Sequence, residues 1–251
     1  MAPELPERLS FSPFAYVFAI LTVDRDWVAQ TYEGTGFCVA SGLLITCWHC
    51  VRRTLPEGLN YAAAYAPNAE QGPLVQLDLS DIAKDQNGAD LATATIQYAP
   101  PRKLSFNQSP EVFGSEVWTF GYPLSGHREA GARVIVPRLL KGYVTRTFHH
   151  DRPGFGPTRA IELDMPAPAG LSGAPLFRAN TATLLGVVYG ETESYTITET
   201  EQIDPETGVR LPESRKVITF GVAHRWETIM KAGGPATRGL SVEDYVRLAA
   251  G

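Results

Sequence analysis

The sequence predicts an all-β fold in two halves, followed by a short helical tail. Glycine and proline are frequent, with 23 and 19 copies among 251 residues, and such punctuation favours short strands joined by turns over a helical bundle. Short apolar or alternating segments recur along most of the chain, whereas helical periodicity is confined to its C-terminal end. The length suits one large domain or two small ones with a proper hydrophobic core.

In the first half, two apolar segments flank Ser41-Gly42, and this pattern predicts a β-hairpin from residues 34–40 and 43–46. Further strands are predicted over residues 15–22, 62–66, 74–79 and 91–96. Prolines then cluster between residues 99 and 110, which we interpret as a linker between the two halves. The first domain is therefore predicted to span residues 12–105.

The second half repeats the pattern of short strands and is predicted to span residues 106–225. Its strands are expected over residues 117–120, 134–136, 141–148, 160–163, 174–177, 184–188 and 217–222. The segment 191–216 is predicted as a long hairpin that turns at residues 204–208. A helical tail, residues 226–251, contains periodic segments at 226–231 and 241–249, the second opening with Ser241 and Asp244 at capping-box spacing.

Charge and hydropathy exclude several classes of partner. With 22 basic against 27 acidic residues and a net charge of −5, the chain lacks the basic field typical of nucleic-acid-binding proteins. The apolar segment 14–23 is far shorter than the roughly 20 residues that span a bilayer, so we interpret it as a core strand and expect no membrane contact. The N-terminus, with Pro3, Glu4, Pro6 and Glu7, does not resemble a signal peptide, so a cytoplasmic protein is expected.

Three local motifs contain residue types that hydrolyse amides. His49 directly follows an apolar strand, Asp90 opens another, and Ser172 lies in a turn between Gly170 and Gly173. Amide hydrolysis needs a nucleophile, a base to take its proton, a group to orient that base, and N–H donors for the oxyanion. Taken singly, each motif has an ordinary structural alternative: a buried histidine, a turn aspartate or a glycine-rich loop.

Taken together, the motifs resemble those of the trypsin-like (chymotrypsin-fold) serine peptidases, with His, Asp and Ser in that family's order. The resemblance covers roughly residues 14–225. Its matching pieces are Gly34-Thr35-Gly36-Phe37, His49, Asp90-Leu91-Ala92, Phe120-Gly121-Tyr122-Pro123, Gly170-Leu171-Ser172-Gly173-Ala174-Pro175 and Gly186-Val187-Val188. It implies two packed six-stranded antiparallel β-barrels with the active site between them.

The resemblance also implies a role for each site residue. Ser172 corresponds to the nucleophile, His49 to the general base and then acid, and Asp90 to the residue that orients the imidazole. The backbone N–H groups of Gly170 and Ser172 correspond to the oxyanion hole. The predicted function is a serine endopeptidase that acts on protein or peptide substrates through an acyl-enzyme intermediate, with no cofactor and no metal.

One departure from the digestive enzymes concerns activation. Leu171 precedes the nucleophile where those enzymes have an aspartate that pairs with a newly cut N-terminus, and no Ile-Val-Gly-Gly start occurs. Together with Gly121-Tyr122-Pro123, this makes the chain more similar to the HtrA-like branch. Control by an activating or inhibiting protein partner or by a conformational switch is therefore expected, as in bacterial stress or defence operons. The alternatives are an unregulated endopeptidase and a catalytically silent binding module.

The cysteines and a histidine pair offer alternatives to catalysis. The three cysteines, few and odd in number, exclude a disulfide scaffold. Cys38, Cys47 and Cys50 are expected to be buried reduced thiols, the alternatives being a disulfide or a zinc cluster with His49. His149-His150-Asp151 is interpreted as a solvated loop, the alternative being a metal site.

Substrate preference is expected to depend on a pocket below the oxyanion hole. By resemblance, Pro166 lies at the base of this pocket, in place of the trypsin-type aspartate, with Asp164 two residues earlier. Its walls correspond to Val188, Tyr189, Gly190 and Glu191. The segment 191–216 has seven acidic and three basic residues, which favours a basic or small apolar P1 side chain if it lies near the cleft; the alternative is a solvated hairpin.

Overall fold

The structure is a computed structural model and describes residues 12–65, 75–107, 113–124, 128–129, 132–133, 136–179, 181–199, 207 and 214–249. The strands of the first half are β1 (Val17–Val23), β2 (Ala29–Ala40), β3 (Leu43–Thr46), β4 (Asn60–Tyr65), β5 (Val75–Lys84) and β6 (Ala92–Ile96). Those that follow are β7 (Ser105–Phe106), β8 (Glu116–Gly121), β9 (Arg128–Glu129), β10 (Ala132–Arg133), β11 (Arg138–His150), β12 (Thr158–Leu163), β13 (Pro175–Arg178), β14 (Thr183–Glu199) and β15 (Ser214–Arg225). The α-helices are α1 (Trp48–Val51), α2 (Trp226–Lys231) and α3 (Val242–Leu248).

The first six strands form a closed antiparallel barrel in the order β1-β2-β3-β6-β5-β4. β1 pairs with β2 along one edge and with β4 along the other, and each of its seven residues is buried. A continuous apolar strand is what a position covered on both faces requires. The predicted hairpin is confirmed as β2–β3, and its turn contains Gly42 at φ +77°, a conformation that suits glycine.

Six strands of the second half also close into a ring. β8, β11, β12, β15, β14 and β13 pair in this order, and β13 pairs again with β8. β7 adds a seventh, parallel strand at the start of β14. The predicted all-β class with a short C-terminal helical tail is therefore confirmed, as a chymotrypsin-like arrangement of two barrels.

The proline-rich connection is more structured than a plain linker. Within it, Leu104 is buried and β7 pairs with Thr183 and Leu184 of the second barrel. The backbone N–H of Asn107 donates to the Leu184 carbonyl at 3.0 Å, which extends this attachment. The rest of the predicted linker, residues 108–110, lies outside the described residues.

The two predicted helices are confirmed in the tail. The first spans the expected residues, and in the second the Ser241 hydroxyl accepts a hydrogen bond from the backbone N–H of Asp244 at 3.1 Å. This bond satisfies one of the free N–H groups at the helix start. The long hairpin is also confirmed, since β14 and β15 pair as far as Glu199 and Ser214, although its turn lies outside the described residues except for Thr207.

The structure corrects the expectation for His149 and His150 and describes little of the strand expected at residues 134–136. His149 and His150 are the last residues of β11, paired with Arg159 and Thr158 of β12, so the prediction of a solvated loop there is wrong. Consecutive strand residues point to opposite faces, which also separates the two imidazoles. Of the strand expected at 134–136, only Val136 is described, and it belongs to no strand.

The main hydrophobic core crosses from one barrel to the other. It joins Phe18 and Phe37 of the first barrel to Phe120 and Phe177 of the second, and it continues into the tail at Ile229. Phe14, just before β1, packs edge-on against Phe120 with ring centroids 4.8 Å apart. The two barrels therefore share one apolar core.

None of the helices among the described residues has the length and apolar character needed to cross a membrane.

Candidate active site

His49 and Asp90 are brought together by neighbouring strands of the first barrel. His49 lies in α1, which follows β3, and Asp90 lies just before β6. The β3–β6 register places Thr46 opposite Ala92, so these two strand ends are adjacent. His49 Nδ1 lies 2.6 Å from Asp90 Oδ2, and the backbone N–H of His49 donates to Asp90 Oδ1 at 3.0 Å. Both carboxylate oxygens of Asp90 thus face His49.

Asp90 is held in its ionised form although its side chain is only 1% exposed. Burial by itself raises the pKa of this carboxyl, but the hydrogen bonds and charge of His49, together with the charge of Arg152, lower it below its usual value. An ionised carboxylate on Nδ1 fixes the imidazole tautomer and leaves Nε2 free to accept a proton. The pair therefore has the arrangement that a general base requires.

Ser172 lies beside α1 in a turn that only glycine can form. The thiol of Cys50, the neighbour of His49, donates to the Ser172 carbonyl at 3.7 Å, and the backbone N–H of Thr35 donates to it at 2.9 Å. Gly173 has φ +89°, and a Cβ there would overlap the Thr35 carbonyl oxygen. The second-barrel turn thus packs directly against β2 of the first barrel.

The peptide between Ala169 and Gly170 is held by a hydrogen bond to the backbone at Leu124. The Ala169 carbonyl accepts a hydrogen bond from the backbone N–H of Leu124 at 2.7 Å. Because the C=O and N–H of a trans peptide point in opposite directions, the Gly170 N–H points away from Leu124. Within the described part of the chain, the N–H groups of Gly170 and Ser172 have no acceptor, so both are available to an incoming oxygen.

Two side chains of β2 hold the Gly170 carbonyl, which lies between these two N–H groups along the chain. Thr35 Oγ1 and the Tyr32 hydroxyl each donate to the Gly170 carbonyl at 2.8 Å. Thr35 Oγ1 also accepts from the backbone N–H of Tyr122 at 3.0 Å, and the Tyr32 hydroxyl contacts the Tyr122 carbonyl. The oxyanion turn of the second barrel is therefore fixed by the first barrel.

The Ser172 hydroxyl is not directed at the imidazole in this structure. Its Oγ donates to the Tyr189 carbonyl at 3.4 Å, and within the described residues it has no hydrogen bond to His49. The serine must leave this carbonyl before it can give its proton to His49 Nε2.

The expected specificity residues meet at Gly221 of β15. Its backbone N–H donates to the Met165 carbonyl at 2.8 Å, next to the exposed Pro166, and it pairs with Glu191 of β14. Val188 and Tyr189 are buried, Gly190 is half-buried and Glu191 is exposed. Asp164 is engaged elsewhere, because its Oδ1 accepts from the backbone N–H of Tyr143 at 2.6 Å.

The cysteines are buried and free, so the prediction of reduced thiols is confirmed. Potential ligand atoms of Cys47, His49 and Asp90 lie within 4.8 Å of one another. Burial raises the pKa of the Cys47 thiol well above its usual value, and its Sγ donates to the Val188 carbonyl at 3.4 Å. His49 Nδ1 is committed to Asp90. In this structure these atoms are therefore engaged with groups of the protein.

Sequence reasoning missed Arg152 and His224, which form a cluster next to Asp90 with Tyr189, expected only as a pocket wall, and His150, expected in a loop. Arg152 Nη1 donates to Asp90 Oδ2, and the Tyr189 ring stacks on His224 with ring centroids 4.1 Å apart and on His150 at 5.7 Å. The His150 Nδ1 contacts the Tyr189 hydroxyl, and burial lowers the pKa of His224 to about 3. No local motif indicates Arg152 or His224, and the cluster itself could not be expected because its four residues come from three strands and a loop.

With this geometry in place, comparison with known proteins identifies the family. The family model described as a trypsin-like peptidase domain matches residues 34–187, which is more than half of the chain. This range contains His49, Asp90 and Ser172. No curated protein matches the sequence.

Solved structures similar to this chain show the same fold. The Rv3671c protease from M. tuberculosis in its active form is 18% identical, with a TM-score of 0.56 over 86% of this chain and 78% of that one. Deg5 is 17% identical, with a TM-score of 0.53 over 74% of this chain and 88% of that one. The HtrA-type protease AlgWS227A with tripeptide is 17% identical, with a TM-score of 0.52 over 84% of this chain and 56% of that one.

Proposed function

Because the chain belongs to the trypsin-like peptidase family and is therefore a serine endopeptidase, we propose that Ser172, His49 and Asp90 perform its reaction. The observation that carries this proposal is the buried Asp90 carboxylate, which binds both the ring Nδ1 and the backbone N–H of His49. An oriented imidazole beside a glycine-flanked serine with two free N–H donors is the set of groups that acyl transfer needs.

In the first half of the proposed reaction, Ser172 Oγ leaves the Tyr189 carbonyl, attacks the scissile carbonyl carbon and gives its proton to His49 Nε2. The negative charge moves to the carbonyl oxygen, which the N–H groups of Gly170 and Ser172 bind. Collapse of this intermediate breaks the C–N bond, and His49 returns the proton to the leaving amine. The products of this half are the released amine and an acyl-enzyme ester on Ser172.

In the second half, water takes the place of the amine. His49 removes a proton from the water as its oxygen attacks the ester carbon, and the same N–H groups bind the new oxyanion. When the ester C–O bond breaks, the proton on His49 returns to Ser172 Oγ and the carboxylic acid leaves. Only groups of the protein and water take part, in accord with the proposal that no cofactor or metal is used.

We further propose that activity is controlled by a partner or by a conformational switch, as in an HtrA-like enzyme. Leu171 carries no charge and packs into the apolar core of the second barrel, so it cannot form the ion pair that activates trimmed zymogens. The Ser172 hydroxyl bonded to Tyr189 supports a resting state that such a signal releases. The free cysteines suit a reducing compartment, and we therefore propose a cytoplasmic location.

We also propose a substrate class. The exposed Glu191 and Glu193 lie on β14 next to the expected pocket wall. Acidic side chains at this edge favour protein substrates with a basic or small apolar P1 residue and disfavour acidic ones.

The test uses a fluorophosphonate probe and an unfolded protein substrate. We expect the wild-type chain to form a covalent adduct on Ser172 and to cleave the substrate, whereas Ser172→Ala does neither. Ser194→Ala, an exposed serine of β14, serves as the matched control and keeps both activities. Cleavage products sequenced by mass spectrometry give the P1 residues, and a preference for Asp or Glu would contradict the substrate proposal.

Two further outcomes separate the competing views. A wild-type chain that is folded but neither labelled nor active until a cell extract is added supports the latent enzyme. A chain that stays unlabelled under every condition, while it binds unfolded protein, would refute catalysis and leave the silent binding module.

A further inference from the structure

We propose that Arg152, a residue of the second barrel, is a positioning residue that fixes the Asp90 carboxylate of the first barrel and thereby the imidazole of His49. This inference rests on the proposed function, since it assigns Asp90 and His49 their catalytic roles. Asp90 Oδ2 accepts hydrogen bonds from both His49 Nδ1 and Arg152 Nη1. With the backbone N–H of His49 on Oδ1, the carboxylate has three donors.

The need for a third donor follows from burial. The Asp90 side chain is only 1% exposed, and a buried carboxylate is expensive unless its oxygens are hydrogen-bonded. The two donors of His49 come from one residue near the start of α1, so they leave the carboxylate plane free to tilt with that residue. Arg152 approaches from the opposite barrel and restrains the same oxygen from another direction.

The loop that carries Arg152 is docked on the first barrel. This loop, residues 151–157, connects β11 to β12. The backbone N–H of Gly156 donates to the Gly88 carbonyl at 2.9 Å, two residues before Asp90. Lys84 of β5 places its ammonium 5.1 Å from the Phe155 ring centroid. These contacts hold the loop against the segment that leads into Asp90.

The guanidinium itself lies between two aromatic rings. Its central carbon is 5.1 Å from the ring centroid of Phe155 and 5.9 Å from that of Tyr189. Stacking of this kind suits the planar guanidinium and orients its N–H groups, which a flexible ammonium does not reproduce. Because the Arg152 side chain is still 36% exposed, its geometry depends on these contacts and not on burial. Arginine is thus the residue type that the site requires.

The test compares three variants. Arg152→Met removes the charge and the donors but keeps an apolar stem, whereas Arg152→Lys keeps the charge without the planar fork. Arg146→Met is the matched control, because Arg146 also belongs to the second barrel, pairs with a carboxylate (Glu162, 2.6 Å) and lies over a ring (Phe148, 4.7 Å). All three are purified as full chains, and their folding is checked by urea unfolding.

We expect Arg152→Met to lower kcat by about 10-fold to 100-fold with KM within about twofold, since a tilted base slows proton transfer without affecting substrate contacts. Arg152→Lys is expected to recover only part of this loss. Arg146→Met keeps kcat within about twofold of the wild type. A folded Arg152→Met protein with a wild-type kcat would overturn the proposal.

A second readout does not depend on activity. In the Ser172→Ala protein, the downfield proton resonance of the His49–Asp90 hydrogen bond is measured by NMR for each variant. We expect this resonance to shift or broaden away in Arg152→Met, to shift less in Arg152→Lys, and to stay unchanged in Arg146→Met. If Arg152→Met does not fold, Arg152→Lys decides, and an unchanged resonance together with an unchanged kcat would overturn the proposal.

The two readouts also separate this inference from the proposed function. If the wild-type chain has no Ser172-dependent activity, the proposed function fails while the NMR comparison still tests whether Arg152 fixes Asp90. If the chain is active and the His49–Asp90 resonance is the same in the Arg152 variants as in the wild type, only the positioning role of Arg152 fails.

Discussion

Replacing Thr35 by valine tests whether the first barrel fixes the oxyanion turn of the second. The Thr35 side chain is fully buried, donates to the Gly170 carbonyl at 2.8 Å and accepts from the Tyr122 N–H at 3.0 Å. Valine has nearly the same shape but makes neither bond. Each lost bond costs about 1 kcal/mol, or about 1–3 kcal/mol where it leaves a buried group unsatisfied. We expect the free energy of unfolding to fall by about 2–4 kcal/mol.

Thr22→Val provides a matched control for this change. Thr22 is equally buried and also has two hydrogen bonds, one with Thr31 Oγ1 at 2.6 Å and one from the Thr31 N–H at 3.2 Å. Each substitution therefore removes two bonds of 3.2 Å or less from the same barrel, with a longer contact of 3.5 Å to the Tyr32 hydroxyl lost in addition at Thr35. Urea unfolding is expected to give similar losses of stability. Only the bonds of Thr35 reach the second barrel.

The catalytic outcome distinguishes the two variants. Without Thr35 Oγ1, the Gly170 carbonyl keeps only its hydrogen bond from the Tyr32 hydroxyl. The peptide between Gly170 and Leu171, which connects the two proposed oxyanion donors, is then less well fixed. We expect Thr35→Val to lower kcat by about 10-fold to 100-fold, less than or similar to the loss of one donor, and Thr22→Val to leave kcat within about twofold. The rates are measured on an unfolded protein substrate at a temperature where both variants are folded. A wild-type kcat in a destabilised Thr35→Val protein would refute the reasoning.

Two further predictions concern stability. Gly173→Ala places a Cβ at φ +89° against the Thr35 carbonyl oxygen, and we expect urea unfolding to show a loss of stability of about 3 kcal/mol or more. Gly239 has a similar φ of +79° but open space around a Cβ, so Gly239→Ala should cost only about 1 kcal/mol. Equal losses in the two variants would contradict the packing argument. Burial lowers the pKa of His224 to about 3, so between pH 6.5 and 3 the unfolded chain binds a proton that the folded chain does not. The free energy of unfolding should therefore fall by about 1 kcal/mol per pH unit as the pH drops. Between pH 6 and 5, His224→Gln should remove this contribution to the pH dependence of the free energy of unfolding. The same pH dependence in the variant and the wild type would show that His224 does not contribute.

The parts of the fold that could be predicted are those that depend on short, local sequence patterns. The continuous apolar run of β1 and the Ser41-Gly42 turn follow from side-chain polarity and glycine geometry, and both agree with the structure. The capped helix α3 follows from Ser241 in the same way. The pairing of His49 with Asp90 could be anticipated only through the resemblance, because the two residues lie in different segments and only the barrel register brings them together.

The parts that could not be predicted depend on contacts between the barrels. Arg152 lies after a pair of histidines whose local pattern indicates a polar loop, yet β11 extends to His150 and turns the arginine toward Asp90. Tyr32 and Thr35 have no motif that marks them as supports of the oxyanion turn. The orientation of the Ser172 hydroxyl could not be predicted from the sequence either, because it depends on the position of the Tyr189 carbonyl.

The apolar core that runs through both barrels has a consequence for how the protein unfolds. Phe18, Phe37, Phe120 and Phe177 belong to one buried cluster, which extends to Ile229 in the tail. Each half would expose its part of this shared cluster to water without the other, although the second barrel also has a core of its own around Leu171, so we expect the two barrels to unfold as a single cooperative unit. Calorimetry should then record one melting transition, and the two halves produced as separate chains should need each other in order to fold.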